Sequence, residues 1–239
     1  MQFSKRAIVL ATLLLLAIAL FLLLAPPLHQ DQSYHAFADR RTILGVSNFW
    51  DTVSNLPFAV VGLIGLFAFR DLASRIIFFG ILATAFGSAY YHLRPDDARL
   101  FWDRLPMTIV FMSLFALAIK QRALVVPFVL VGVASVTWWR ITGNLWPYAL
   151  VQFGPMIVLI VIAFRSEPGL RPVVVLYGLS KITEFFDTQI YAVSPLSGHT
   201  VKHILAGVAS WYIYRWIETK TRSPQTGRQP ASASVPDVS

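Results

Sequence analysis

Residues 87–103 read GSAYYHLRPDDARLFWD. An apolar run reaches them from the N-terminal side, the charged turn RPDDAR interrupts it, and a second apolar run leaves from Trp102 onward. The same alternation of long apolar stretch and short charged turn repeats along the chain, and it decides the fold.

Working outward, eight apolar segments lie at roughly 7–25, 49–69, 74–92, 104–119, 123–139, 147–164, 172–190 and 199–217. Most approach the about 20 residues that an α-helix needs to cross a bilayer. The 239-residue chain is 56% hydrophobic and 13% charged, about half the charge of a soluble domain. An all-α fold follows, a polytopic membrane helix bundle without a separate soluble domain. The tail over 219–239 is rich in Pro, Ser and Gln, and its composition predicts disorder. The first segment follows Lys5 and Arg6 and leads into Pro26 and Pro27. Its apolar run is long for a signal peptide and lacks an A-x-A cleavage site, so residues 1–30 read as an uncleaved anchor, with a signal as the alternative.

The net charge of +8 does not gather into one patch, so no nucleic-acid partner is expected. The basic residues flank the apolar segments. With the N-terminus inside, twelve fall in inner loops and six in outer ones, and Lys181 and Lys202 within segments complete the 20. Positive charge favours the cytoplasmic side, which places both termini in the cytoplasm. Trp50, Trp102, Trp138, Trp139 and Trp146 then fall near the outer boundary, as an aromatic belt does. Cysteine is absent, which excludes disulfides and thiolate sites.

This threading brings three of the five histidines to one face of the membrane. His92 ends the third segment, Asp103 begins the fourth, and His199 and His203 begin the eighth. Ser88 and His92, like His199 and His203, are spaced i, i+4 and share a helical face. Three neutral imidazoles make an open tetrahedral zinc site whose fourth position is free for chemistry. Asp103 is then placed to move a proton, and Ser88 to donate to a developing oxyanion. Taken singly, each residue has a plainer reading: an interfacial histidine, a helix-capping aspartate, a small packing serine. His29 and His35 keep that reading. The joint occurrence on one face is what favours a metal site.

The stretches FWDTVSNLPF (49–58), GSAYYH (87–92), WDRLPM (102–107) and GHTVKHILAG (198–207) resemble the alkaline ceramidase family, within a wider group of seven-helix membrane hydrolases that includes the adiponectin-receptor-like proteins. The likeness runs over roughly 35–217. It implies a seven-helix core over 31–218 with the first segment as one additional N-terminal transmembrane helix. It also implies zinc on His92, His199 and His203, Asp103 as general base and acid, Ser88 as oxyanion stabiliser, and hydrolysis of a ceramide-like N-acyl lipid to a fatty acid and a sphingoid-type amine. The family's acidic calcium site precedes the first core helix. Here Asp39 and Asn48 occupy plausible ligand positions, but Tyr34 and Phe37 replace two expected carboxylates. Calcium takes six to eight oxygens, so a calcium site is expected to be weak, and Asp39 is equally suited to pairing with Arg40 or Arg41.

Lys181, Glu184 and Asp187 form a polar stripe on the seventh segment, either lining the substrate cavity and supporting the histidines or forming an internal ion pair. Two other functions fit part of the pattern. A seven-helix lipid receptor would hold structural zinc in a closed shell, but no further outer histidine has fitting spacing. A transporter would use the Lys181–Glu184–Asp187 stripe as an ion relay, but the two halves show no internal repeat.

Overall fold

The computed structural model describes residues 5–222, so most of the tail expected to be disordered lies outside the described residues. The chain is an all-α helix bundle. Its helices are α1 (Lys5–Leu24), α2 (Phe49–Val53), α3 (Leu56–Ala68), α4 (Leu72–Leu93), α5 (Asp97–Ala118), α6 (Val125–Thr142), α7 (Trp146–Arg165), α8 (Arg171–Phe185), α9 (Asp187–Val193) and α10 (Gly198–Arg222). Among the described residues, five segments are long and apolar enough to span a membrane: Phe49–Ala68, Leu72–Leu93, Asp97–Ala118, Arg122–Thr142 and Trp146–Arg165. Bulky side chains such as Phe67, Phe86 and Ile157 point outward, the arrangement of a protein whose surroundings are lipid. It is a membrane protein.

Local chemistry sets the helix ends. Asp71 and Asp96 cap α4 and α5 by accepting from the amides of Ser74 and Arg99, which satisfies donors that a helix start leaves open. Gly143 ends α6 at φ 74°, a conformation that glycine adopts without a Cβ clash. α10 runs on through Arg222, past the boundary expected at 218.

The segment expected at 49–69 breaks after Val53. The Ser54 hydroxyl and the Asn55 amide both donate to the Asp51 carbonyl, 3.1 and 2.9 Å away, so side chains replace the helix ladder. The seventh segment breaks at Phe186 into α8 and α9. Pro106 and Pro155 lie inside α5 and α7.

Around the bundle, α3, α4, α5, α7, α8 and α10 contact one another in turn, and α10 returns to α3; α6 packs on α5 and α7. Ile77, Phe78, Ile81, Leu114 and Leu159 fill the main core. A smaller cluster around Phe37, Tyr91, Leu100, Val136, Trp139 and Tyr148 sits at the other end.

One close approach registers α4 against α5. Pro106 has no amide hydrogen, so the Trp102 carbonyl one turn back has no helical donor. That carbonyl turns toward Gly87, where an added Cβ would stand only 2.1 Å from the oxygen. Gly87 lets the two backbones touch one residue from both Ser88 and Asp103.

Candidate metal centre

Three histidines from two helices meet at the end of the bundle. His92 comes from the last turn of α4, and His199 and His203 from the first turns of α10. All three are buried. Each pair of ring centroids is 4.8 Å apart, and one nitrogen from each ring lies within 4.8 Å of the other two. The His92 and His199 Nε2 atoms are 3.3 Å apart. Two nitrogens at zinc–imidazole distance and a tetrahedral angle stand about 3.3 Å apart, so this donor set fits such a cation.

The break between α2 and α3 orients the third ring. His203 Nδ1 lies 2.9 Å from Ser54 Oγ and 3.1 Å from the Asp51 carbonyl. Ser54 gives its own proton to that carbonyl, so Nδ1 is the protonated nitrogen and Nε2 is left with its lone pair. Fixing one ring nitrogen to free the other is how proteins prepare imidazole ligands. Asp51 is fully buried, and its Oδ1 accepts from Ser197 at 3.0 Å and Thr200 at 2.5 Å. The start of α10 is thereby tied to α2.

Asp187 performs a similar service. Its carboxylate accepts from the His199 amide at 2.7 Å and the Ala38 amide at 2.9 Å, joining the N-terminus of α10 to the outer loop. A Cβ on Gly198 would meet the Thr183 carbonyl at 2.1 Å. Glycine is what allows α10 to begin so close to α8.

Asp103 lies in the second turn of α5 rather than at its start, because Asp96 is the cap. It is buried, and Ser88 lies near its carboxylate. Ser88, Asp103, Lys202 and His203 share one cavity wall, and the cavity continues between Phe58, Ile81, Phe111, Leu114, Met156 and Ile213. A polar corner adjoins an apolar space.

Nothing in the sequence marks Phe37, Lys202 and Tyr34 as contributors to the site. The Phe37 ring covers the histidines, 4.7 Å from His92 and 4.4 Å from His199 between centroids. Lys202 and Lys181 both donate to Glu184, at 2.5 and 2.7 Å, and the Tyr34 hydroxyl donates to it at 3.2 Å. The expected stripe is thus divided: Glu184 joins two lysines beside the site, and Asp187 caps α10. Burial and the adjacent Glu184 carboxylate keep the Tyr34 phenol well above its usual pKa, so it stays a neutral donor.

The two residues expected for a weak calcium site are engaged otherwise. Arg41 takes both Asp39 oxygens, from Nε at 2.9 Å and Nη2 at 2.6 Å. Burial pushes the Asp39 carboxyl up, but those hydrogen bonds outweigh it and hold the group below the usual carboxylate range. The Asn48 amide donates to the His92 carbonyl at 2.7 Å, closing the end of α4. His35 bridges Tyr91 and Asp97 at 2.8 and 3.0 Å, and His29 lies near Gly143.

The sequence model of the family described as Ceramidase matches residues 42–169, more than half of the chain. The match contains Ser88, His92 and Asp103 and stops before His199 and His203, which the bundle brings to the same point. None of the curated proteins compared with the chain matches it. The chain belongs to the ceramidase family.

Proposed function

We propose that this chain is an integral-membrane, zinc-dependent hydrolase that cleaves a ceramide-like N-acyl lipid into a fatty acid and an amine. His92, His199 and His203 hold the zinc. The observation that carries the reading is one cavity whose wall joins His203 of the histidine cluster, Asp103 and Ser88 to the apolar side chains of Phe58, Ile81, Phe111 and Leu114.

A zinc ion on three imidazoles supplies Lewis acidity and lowers the pKa of a coordinated water to about 7. The chain's own groups do the rest. Asp103 accepts a proton from the attacking water and returns it to the amide nitrogen as the C–N bond breaks. Ser88 donates to the carbonyl oxygen as it gains negative charge. Water's hydroxyl ends on the acyl carbon and its proton on the leaving amine, so the products are a free fatty acid and a primary amine. Phe37 covers the histidines, and Ser54 with the Asp51 carbonyl holds His203 in its ligating tautomer.

The charge asymmetry of the loops supports both termini in the cytoplasm and the site toward the outer face. Fatty-acid release from N-acyl sphingoid lipids, measured on the purified full-length chain, tests the reading. Release by the wild type and none by Asp103→Ala supports it, whereas equal release by both removes Asp103 from the chemistry.

A further inference from the structure

Beside the apolar cavity lies a second one, walled by Tyr34, Arg104, Tyr148, Gln152 and Glu184 among others. Asp103, Met107, Lys181 and Lys202 line both. The two spaces therefore adjoin at the carboxylate assigned to proton transfer, one apolar and the other rich in charge.

Arg104 stands out in the second cavity. It follows Asp103 directly and is only 8% exposed. Its Nη2 donates to Gln30 Oε1 at 2.6 Å. The rings of Trp139, Tyr148 and Tyr34 lie 4.4, 4.8 and 5.7 Å from its Cζ. Its Nη1 is buried without a hydrogen-bond partner. Among the described residues no carboxylate lies within ion-pairing distance of it. Aromatic faces attract a guanidinium but do not cancel its charge.

Neither nearby acid is paired with Arg104. Glu184 serves Lys181 and Lys202, and Asp103, although it feels the charges of Lys202 and Arg104, pairs directly with neither. The charged groups lining the cavity are Arg104, Lys181 and Lys202 against Asp103 and Glu184, three positive and two negative, an excess of one positive charge. A buried charge without a counter-ion is costly, and the planar fork of arginine matches a carboxylate with two parallel hydrogen bonds.

We propose that this cavity receives an acidic head on the amine side of the substrate, so that an N-acyl lipid with one carboxylate on that head is cleaved in preference to the same lipid with a neutral head. The carboxylate docks on Arg104, the amide lies at Asp103, and the acyl chain fills the adjoining apolar cavity. This inference rests on the N-acyl amide hydrolase reading and narrows its substrate class. One negative charge matches the excess, whereas a neutral head leaves Arg104 unpaired.

N-oleoylglycine and N-oleoylethanolamine share the acyl chain and a two-carbon head but differ in the acid. On the purified full-length chain, kcat/KM for the acid should exceed that for the alcohol at least about tenfold, the lower range for a hydrogen bond to a charged group. Arg104→Gln should bring the ratio to about one. If that variant fails to fold, Arg104→Lys, a point charge without the fork, should give an intermediate ratio. A wild-type ratio at or below one, or a ratio unchanged by Arg104→Gln, overturns the proposal. If neither amide is cleaved the hydrolase reading falls, and titration of the same lipids into the wild type still decides the acidic head by their relative affinities. Oleate carries a carboxylate without an amide. If it bound as tightly as N-oleoylglycine, with both losing affinity in Arg104→Gln, the site would be one for fatty acid and the assignment to the head would be wrong.

Discussion

The Nε2 atoms of His92 and His199 stand 3.3 Å apart although 107 positions separate the two residues. Neither helix brings them together unaided. Asn48 closes the end of α4 beneath His92, and Asp187 holds the start of α10 at His199. The histidine cluster depends on these ties as much as on its own spacing.

Ser54 orients His203, so Ser54→Ala should weaken metal binding about 10- to 100-fold, the usual cost of losing such a partner. Competition with a graded series of chelators measures it. An unchanged affinity would mean that the Asp51 carbonyl alone fixes the ring.

Asp103→Asn keeps the size of the side chain but removes its basicity. It should lower kcat about 10²- to 10⁴-fold while metal content stays at the wild-type value. Loss of metal together with rate would assign Asp103 to holding the site rather than to proton transfer.

Gly87→Ala forces a methyl group against the Trp102 carbonyl. The helices must part, at a cost of about 1–3 kcal/mol, and Ser88 moves away from Asp103. Thermal unfolding in detergent should show a lower Tm, with activity falling even below that temperature. Gly154→Ala is the control, because nothing lies within 4 Å of the added carbon. A Tm for Gly87→Ala matching the control would contradict the close approach.

Glu167 anchors the loop after α7, accepting from Lys220 at 2.6 Å and from Trp216 at 3.1 Å. Burial raises its pKa, but the hydrogen bonds from Lys220 and Trp216 outweigh that and hold it below the ordinary 4.5. A lowered folded-state pKa stabilises the protein fully above the unfolded value and loses that contribution as pH falls through the folded one. Glu167→Gln should therefore be less stable than the wild type at neutral pH, by about 1–2 kcal/mol, and the two should converge below pH 4.5. A gap that persists in acid would assign the effect to packing.

The apolar segments were legible because bilayer thickness fixes their length, and the i, i+4 spacings of Ser88–His92 and His199–His203 were legible because helix geometry is fixed. What escaped depends on distant partners. Arg104 counts in sequence as one more outer-loop charge, and only the fold surrounds it with Tyr34, Trp139 and Tyr148. Trp139 likewise belongs to the expected interfacial belt but is buried over that guanidinium. Pro57, in the first turn of α3, marks the break after Val53, whereas the break at Phe186 carries no proline or glycine to announce it. The Ser54 and Asn55 side chains make the first break by taking the Asp51 carbonyl. Nor does the sequence show Pro106 lying inside α5, where the Trp102 carbonyl it leaves without a donor faces Gly87.

Metal analysis of the purified chain tests the central claim most directly. The wild type should carry about one zinc per chain, as a single three-histidine site requires, and His203→Ala should carry almost none while remaining folded. A wild type that hydrolyses N-acyl lipids without metal, or a His203→Ala protein that keeps a full equivalent of zinc, would contradict it.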